Sequence, residues 1–300
     1  MSHAMNQSGL CLLDDFGALR FTGTEAGKFL QGQLSNDMAA LAPGVLLRAG
    51  LHNPQGRTLA LLGLIAAGQD DILAVLPLEL VSTVSAHLRR YVLRSKLSIS
   101  DDSARYRVLG VAGTDAATDA ATDAATRAPG LRVSYGLPHE QRALLLQDAL
   151  APAPAATMPR EHWRALDISA GLPQVYTATS GQFVAQMLNL DCINAISFTK
   201  GCYTGQEVIA RAHYRGRIKR RMQRFVSHAP LRLAAGDTGR LIDGRSYRVV
   251  DAIERADGLT EFLAVASLPG TAQEADETGQ LLAAGGVVIG ALPLPYTLPE

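Results

Sequence analysis

The sequence predicts an α+β fold with a largely antiparallel sheet and a small β-barrel at the C-terminal end. Two observations carry this. Between Leu10 and Ser100, short strand-like apolar runs are mixed with stretches of helical spacing. From Arg224 onward, short apolar runs alternate with Gly, Asp and Pro turns, the rhythm of consecutive short strands.

Taken in order, Leu10 to Phe21 reads as two short strands around a turn at Asp14-Asp15-Phe16-Gly17, and Thr24 to Leu34 has helical spacing through Ala26, Phe29 and Leu30. Strands follow at Leu46 to Asn53, Thr58 to Ala66 and Asp71 to Leu76, the first two joined by the turn Asn53-Pro54-Gln55-Gly56. Leu78 to Leu93 has a helical apolar face of Leu80, Val81, Val84, Leu88, Tyr91 and Val92, and Lys96 to Ser100 reads as a short strand. The unit Asp-Ala-Ala-Thr then occurs three times, from Asp115, Asp119 and Asp123. Alanine methyls bury little area and the aspartates repel, so a mobile surface insertion is expected. An Ala/Pro-rich linker at Ala149 to Pro159 leads into a helix containing Glu161, Trp163, Arg164, Leu166 and Ile168. The expected barrel strands are Gln223 to Ser227, Thr238 to Ile242, Tyr247 to Ile253, Glu261 to Ala266 and Gly286 to Ala291.

A chain of 300 residues, 47% of them apolar, has material for two or three domains. It has no uninterrupted apolar stretch long enough for a membrane span and no signal-peptide pattern, so a cytoplasmic location is expected. Cys11, Cys192 and Cys202 are odd in number and form no C-x-x-C pair, which argues for reduced thiols and against a disulfide framework or a zinc ribbon. Seven histidines are scattered without metal-ligand spacing, so no metal site is expected.

The stretch Lys200-Gly201-Cys202-Tyr203-Thr204-Gly205-Gln206-Glu207 holds the strongest chemical signal. Thr204 and Glu207 have capping-box spacing, Val208, Ile209 and Ala212 continue the helix, and Glu207 stands four residues before Arg211. This places Cys202 just ahead of a helix N-terminus. Free amides and the positive dipole end favour a thiolate there, and Lys200 adds charge if it points the same way. The bland alternative is a small buried hydrophobe.

Total charge is balanced, 28 basic against 28 acidic residues, and gives nucleic-acid binding no support. Its distribution is uneven. Arg211, Arg215, Arg217, Lys219, Arg220, Arg221 and Arg224 form an acid-free run interleaved with His213 and Tyr214, a candidate anion surface or a solvated connector. Gln182, Gln186 and Asn189, read on one helix, present three amides to a common side, able to donate and accept in turn, unless they form the wet face of an amphipathic helix.

Several landmarks resemble the YgfZ family of folate-binding proteins, relatives of the glycine cleavage T-protein. They are Phe29 through Asp37 (FLQGQLSND), Asn53 through Arg57 (NPQGR), Leu93 through Lys96 (LRSK), Ala170 through Pro173 (AGLP), Ser180 through Phe183 (SGQF), and Lys200 through Arg211 with Arg215-Gly216. The resemblance implies a T-protein-like, multi-domain ring around a central folate cavity. Its parts are an N-terminal α+β folate-binding domain at 10–110, the insertion at 111–130, a second α+β domain at 131–222 and the barrel at 223–300. It implies tetrahydrofolate as ligand, with Gln182, Gln186, Asn189 and Tyr203 as contacts, Gln206, Glu207 and Arg211 beside them, and Arg164 and Arg211 toward the folate carboxylates. Cys202 and Lys200 are the expected catalytic candidates. The implied role is in assembly or repair of iron-sulfur enzymes, with indirect effects on tRNA modification.

Gly56-Arg57-Thr58-Leu59-Ala60-Leu61 lacks the aspartate that T-proteins carry there, and Ser169 stands where they have a folate-facing glutamate. Aminomethyl transfer loses its acid and base without them. Three readings fit the sequence. They are the folate-dependent accessory protein, a folate-dependent one-carbon transferase, and an RNA- or protein-binding module through 211–224.

Overall fold

A computed structural model describes residues 9–113, 130–135, 137, 141–216, 218–241, 243–268, 280–282 and 287–299. These form two compact units, each discontinuous in sequence. The first takes the described residues within 1–52, 59–163 and 194–204, and the second those within 53–58, 164–193 and 205–300. The Asp-Ala-Ala-Thr repeat lies outside the described residues.

The first unit contains two antiparallel sheets. One has five strands, β1 (Gly9–Leu12) not among them: β2 (Phe16–Thr22), β3 (Leu47–His52), β4 (Thr58–Gly68), β5 (Asp71–Pro77) and β6 (Ser98–Asp101), ordered β3-β4-β5-β2-β6. β4 and β5 read as near-continuous apolar runs because both of their faces are covered, and Ala60, Leu62, Leu64, Ile65, Leu73, Ala74 and Leu76 are fully buried. Helix α1 (Ala26–Gln33) buries Ala26, Phe29 and Leu30, and α2 (Leu78–Arg89) packs Leu80, Val81, Val84 and Leu88 inward against the sheet.

The other sheet joins β1 to β7 (Tyr106–Ala112), β8 (Gly130–Ser134) and β9 (Arg142–Asp148) in the order β1-β7-β9-β8. So the two strands flanking Asp14 belong to different sheets. β1 pairs with β7, while β2 pairs with β5 and β6. Strands β7 to β9 were not anticipated from sequence. Trp163, 2% exposed, lies against Tyr135 with ring centroids 5.1 Å apart.

Helix α2 is shorter than its apolar spacing predicts. It ends at Arg89, and Leu93 adopts φ 45°, a left-handed conformation that no helix continues through. Tyr91, expected on the buried face, is 42% exposed.

The second unit carries α3 from Arg164 onward (Arg160–Ser169), α4 (Gln206–Arg215) and one six-stranded antiparallel sheet. Its strands are β10 (Arg220–Ser227), β11 (Thr238–Arg240), β12 (Ser246–Glu254), β13 (Thr260–Ser267), β14 (Gln280–Leu282) and β15 (Val288–Leu292), ordered β11-β12-β13-β10-β15-β14. Among the described residues its edge strands β11 and β14 do not pair with each other, so the sheet at the place of the expected small barrel is a half-barrel. Phe225, Tyr247, Val249, Phe262 and Ile289 fill its core, with the Phe225 and Phe262 rings stacked 5.4 Å apart. A bulge between Val249 and Asp251 re-aims Asp251, which is 1% exposed.

Candidate functional site

In the first unit, the signature stretch is tied to the C-terminal end of α1. A helix leaves its last carbonyls without intrahelical partners, and Lys200 supplies the missing donors. Its Nζ donates to the carbonyls of Gln31 and Leu34, both at 2.6 Å, and of Asn36 at 2.9 Å. Burial pulls this ammonium down to about 8. Ser35 Oγ donates to Ala195 O and accepts from Gly50 N, both at 2.8 Å, and Asn36 Nδ2 donates to Arg48 O and Asn194 O at 2.7 Å. The Tyr203 ring is buried, with Lys200 Nζ 5.0 Å from its centroid and the His52 ring 6.4 Å away. Cys202, between these two buried side chains in sequence, is exposed.

In the second unit, the turn at Asn53–Arg57 is packed on the start of α4. Gly205 is the N-cap, at φ 82°, and a Cβ there would meet Asn53 O at 2.5 Å; Gly56, at φ 70°, faces Val208, whose Cβ a Gly56 methyl would meet at 2.9 Å. Both positions therefore need glycine for conformation and for space. Asn53 Oδ1 accepts from the amides of Gln55 and Arg57, and Arg57 Nη1 donates to Gln182 O at 3.0 Å. Thr58 N donates to Phe183 O and Gly181 N to Thr58 O, each at 2.8 Å. The motifs Asn53–Arg57, Ser180–Phe183 and Gly205–Val208, far apart in sequence, form one packed junction.

The expected capping box is absent. Gly205 rather than Thr204 caps the helix, no side chain caps it, and Cys202 stands one residue further from the first turn than Thr204 capping would put it. Glu207 and Arg211 are exposed, Gln206 is half-buried, and among the described residues Glu207 and Arg211 form no ion pair.

The three amides do not share a helix. Gln182 is exposed in a turn, Gln186 lies in a single 3-10 turn (Ala185–Leu188), and Asn189 ends that turn at φ 55°. Gln186 Nε2 donates to Ile209 O at 2.7 Å, while its Oε1 is buried with no partner among the described residues. Asn189 Nδ2 donates to Met222 O at 2.9 Å and to the Tyr296 hydroxyl at 3.3 Å. Arg164 Nε donates to Asp251 Oδ1 at 2.6 Å, and the Tyr176 hydroxyl donates to Asp251 Oδ2 at 3.0 Å. Burial pushes the Asp251 carboxyl up, and the Arg164 guanidinium pulls it back.

The chain matches no protein-family model. The tRNA-modifying protein YgfZ of Yersinia pseudotuberculosis serotype O:1b (strain IP 31758) is 31% identical over 316 residues, spanning 97% of this chain and 93% of that protein. The chain belongs to the YgfZ family. An uncharacterized protein of Haemophilus influenzae (strain ATCC 51907 / DSM 11121 / KW20 / Rd) is 28% identical across 96% of this chain and 98% of its own. The crystal structure of the glycine cleavage system aminomethyltransferase T from Bartonella henselae matches with a TM-score of 0.72 at 14% identity, over 98% of this chain and 88% of that one. At that identity the likeness establishes a shared fold.

In this YgfZ-family chain the basic run 211–224 is not one surface. Arg211, Arg215 and Lys219 are exposed, whereas Arg221 donates from Nη2 and Nη1 to the Asp191 carboxylate at 2.9 and 3.0 Å, and Arg224 Nε to Glu261 at 2.7 Å. Arg217 lies outside the described residues. The thiols divide similarly. Burial pushes Cys11 and Cys192 up to about 12, and Cys202 is the exposed one. Sequence reasoning passed over His52, which is fully buried with neither ring nitrogen partnered among the described residues. Desolvation pushes its imidazole down to about 3, so it is neutral. Its place directly before Asn53-Pro54-Gln55-Gly56 was the available signal. No cluster of metal-ligating side chains occurs among the described residues, and no helix there is long and apolar enough to cross a membrane.

Proposed function

We propose that this chain is a tetrahydrofolate-binding accessory protein for the assembly or repair of iron-sulfur enzymes, with Cys202 as its reacting group and tRNA modification among the processes it supports. The observation that carries the reading is the partition of the signature. Lys200 and Tyr203 are buried in the framework, and Cys202 alone of the three thiols is exposed. The link to tRNA modification comes from the Yersinia relative, a tRNA-modifying protein. Iron-sulfur enzymes or their assembly proteins are the proposed partners, and the family's ring around a folate cavity with a small C-terminal barrel belongs to the same proposal.

The donor set fits a pterin in part. Gln186 Oε1 is a buried acceptor without a donor, suited to a pterin N–H. Asn189 and Arg164 are already committed inside the protein, so exposed Arg211 is the better candidate for a folate carboxylate. Tetrahydrofolate would bring one-carbon chemistry. The segment 56–61 contributes no carboxylate to run an aminomethyl transfer.

Calorimetry of tetrahydrofolate binding under anaerobic reducing conditions, on wild type and Cys202→Ser, tests this. Equal binding by both, with loss of the cellular function in Cys202→Ser, is the expected result. Absence of binding by either protein removes folate from the reading.

A further inference from the structure

We propose that the turn following α2 is a binding surface for single-stranded RNA, built on Tyr91, Arg94 and Lys96. Val92 to Ser95 is a reverse turn, closed by Ser95 N donating to Val92 O at 2.8 Å, with Leu93 and Arg94 at its centre. Leu93 occupies φ 45°, where glycine is the ordinary resident, and is 88% exposed. A strained, solvent-facing leucine gains nothing from burial in this fold, so the conformation points to a role in presenting the turn.

The turn is held in place. Glu25 Oε2 accepts from Lys96 N at 2.6 Å, and Gly23 lies so close that a Cβ there would meet Lys96 O at 2.3 Å. Beside it opens a cavity of about 580 Å³ lined by Glu25, Tyr91, Leu93, Arg94 and Ser95. Tyr91 is 42% exposed and is braced by His87, their rings 5.3 Å apart.

Charge completes the surface. Arg89, Arg90, Arg94 and Lys96 are exposed, and among the described residues none has a carboxylate within ion-pair distance. Arg89 and Arg90 stand where cations offset the helix dipole, and Arg89 Nη2 also donates to Ile99 O at 2.8 Å. That reasoning does not extend to Arg94 and Lys96, which lie beyond the helix with their side chains uncommitted. Unpaired cations around an open concavity, with an exposed aromatic ring on its wall, match the two needs of a single strand: phosphate neutralisation and base stacking. An acidic polypeptide would use the cations but not the ring. The surface lies wholly within the first unit and does not depend on folate binding.

The test is fluorescence anisotropy with a fluorescein-labelled oligouridylate across a series of salt concentrations. If Arg90, Arg94 and Lys96 meet phosphates, log Kd against log salt has a slope of magnitude about 2. Arg94→Glu/Lys96→Gln should flatten that slope and weaken binding about tenfold or more, and Tyr91→Ala should weaken it about tenfold at unchanged slope. Arg215→Glu/Lys219→Glu, on the other basic segment, should bind as wild type does. All these side chains are exposed, and circular dichroism melts of each variant check that folding is intact. The proposal is overturned if wild type does not bind, if Arg94→Glu/Lys96→Gln binds unchanged, or if the Arg215/Lys219 variant is the one that fails. It is equally overturned if Tyr91→Ala has no effect while poly-L-glutamate displaces the RNA charge for charge, since the partner is then an acidic protein.

Discussion

In the segment Arg211–Arg224, strand β10 turns Arg221 onto Asp191 and Arg224 onto Glu261, while in Arg89–Lys96 the chain leaves its helix early and, among the described residues, the side chains of Arg94 and Lys96 form no ion pair. The longer and more conspicuous run thus spends cations holding the second unit together, and the shorter one keeps them in solvent. The difference lies in what the rest of the chain places opposite. A guanidinium can be taken out of water when a carboxylate receives it in bidentate geometry, and the Arg221–Asp191 pair, with side chains 3% and 6% exposed, meets that condition. The same sorting operates over two residues in the signature, where Lys200 is internal and Cys202 is external.

The largest effect should come from breaking the internal pair on one side. Arg221→Ala strands the buried Asp191 carboxylate and should cost about 3–5 kcal/mol in equilibrium denaturation, with an Arg221→Met/Asp191→Leu double variant recovering most of it. An Arg221→Ala protein as stable as wild type would break the contrast between the segments. Lys200→Met comes next. It removes the donor to three carbonyls at and just beyond the end of α1, and a loss of about 2–3 kcal/mol is expected. Faster amide exchange in the last turn of α1 would place the damage there.

Much of the fold was legible because local pattern and burial agree. Helix α1, the turn at Asn53–Arg57 and strands β4 and β5 all follow from spacing and turn chemistry. The amide helix failed because Gln182, Gln186 and Asn189 follow helical spacing without the backbone that would use it; Gly181 and Asn189 both sit at positive φ and break the run. Pairing was illegible for a different reason. That β1 and β2 enter separate sheets is decided by strands β5 and β7, far along the chain, and no turn residue encodes it. The site shows the same limit. The motif could name Lys200 and Cys202 together, but which of them faces α1 depends on carbonyls supplied from residues 31–36.

The smallest stability effect belongs to the most functional residue. Cys202 is exposed, so Cys202→Ser should alter stability by no more than about 0.5 kcal/mol. Its reactivity should stand apart all the same. Raising a thiol from 9.0 to about 12 cuts its thiolate fraction at neutral pH about a thousandfold, and burial does this to Cys11 and Cys192. Titration of the native protein with an aromatic disulfide reagent should therefore show one fast thiol, absent in Cys202→Ser, and two that react only slowly until the chain is unfolded. Two fast thiols in the wild type would bring Cys192, whose Sγ is 3.7 Å from Asp191 Oδ1, into play as a second nucleophile, and the inside-outside division drawn for the cations would not hold for the sulfurs.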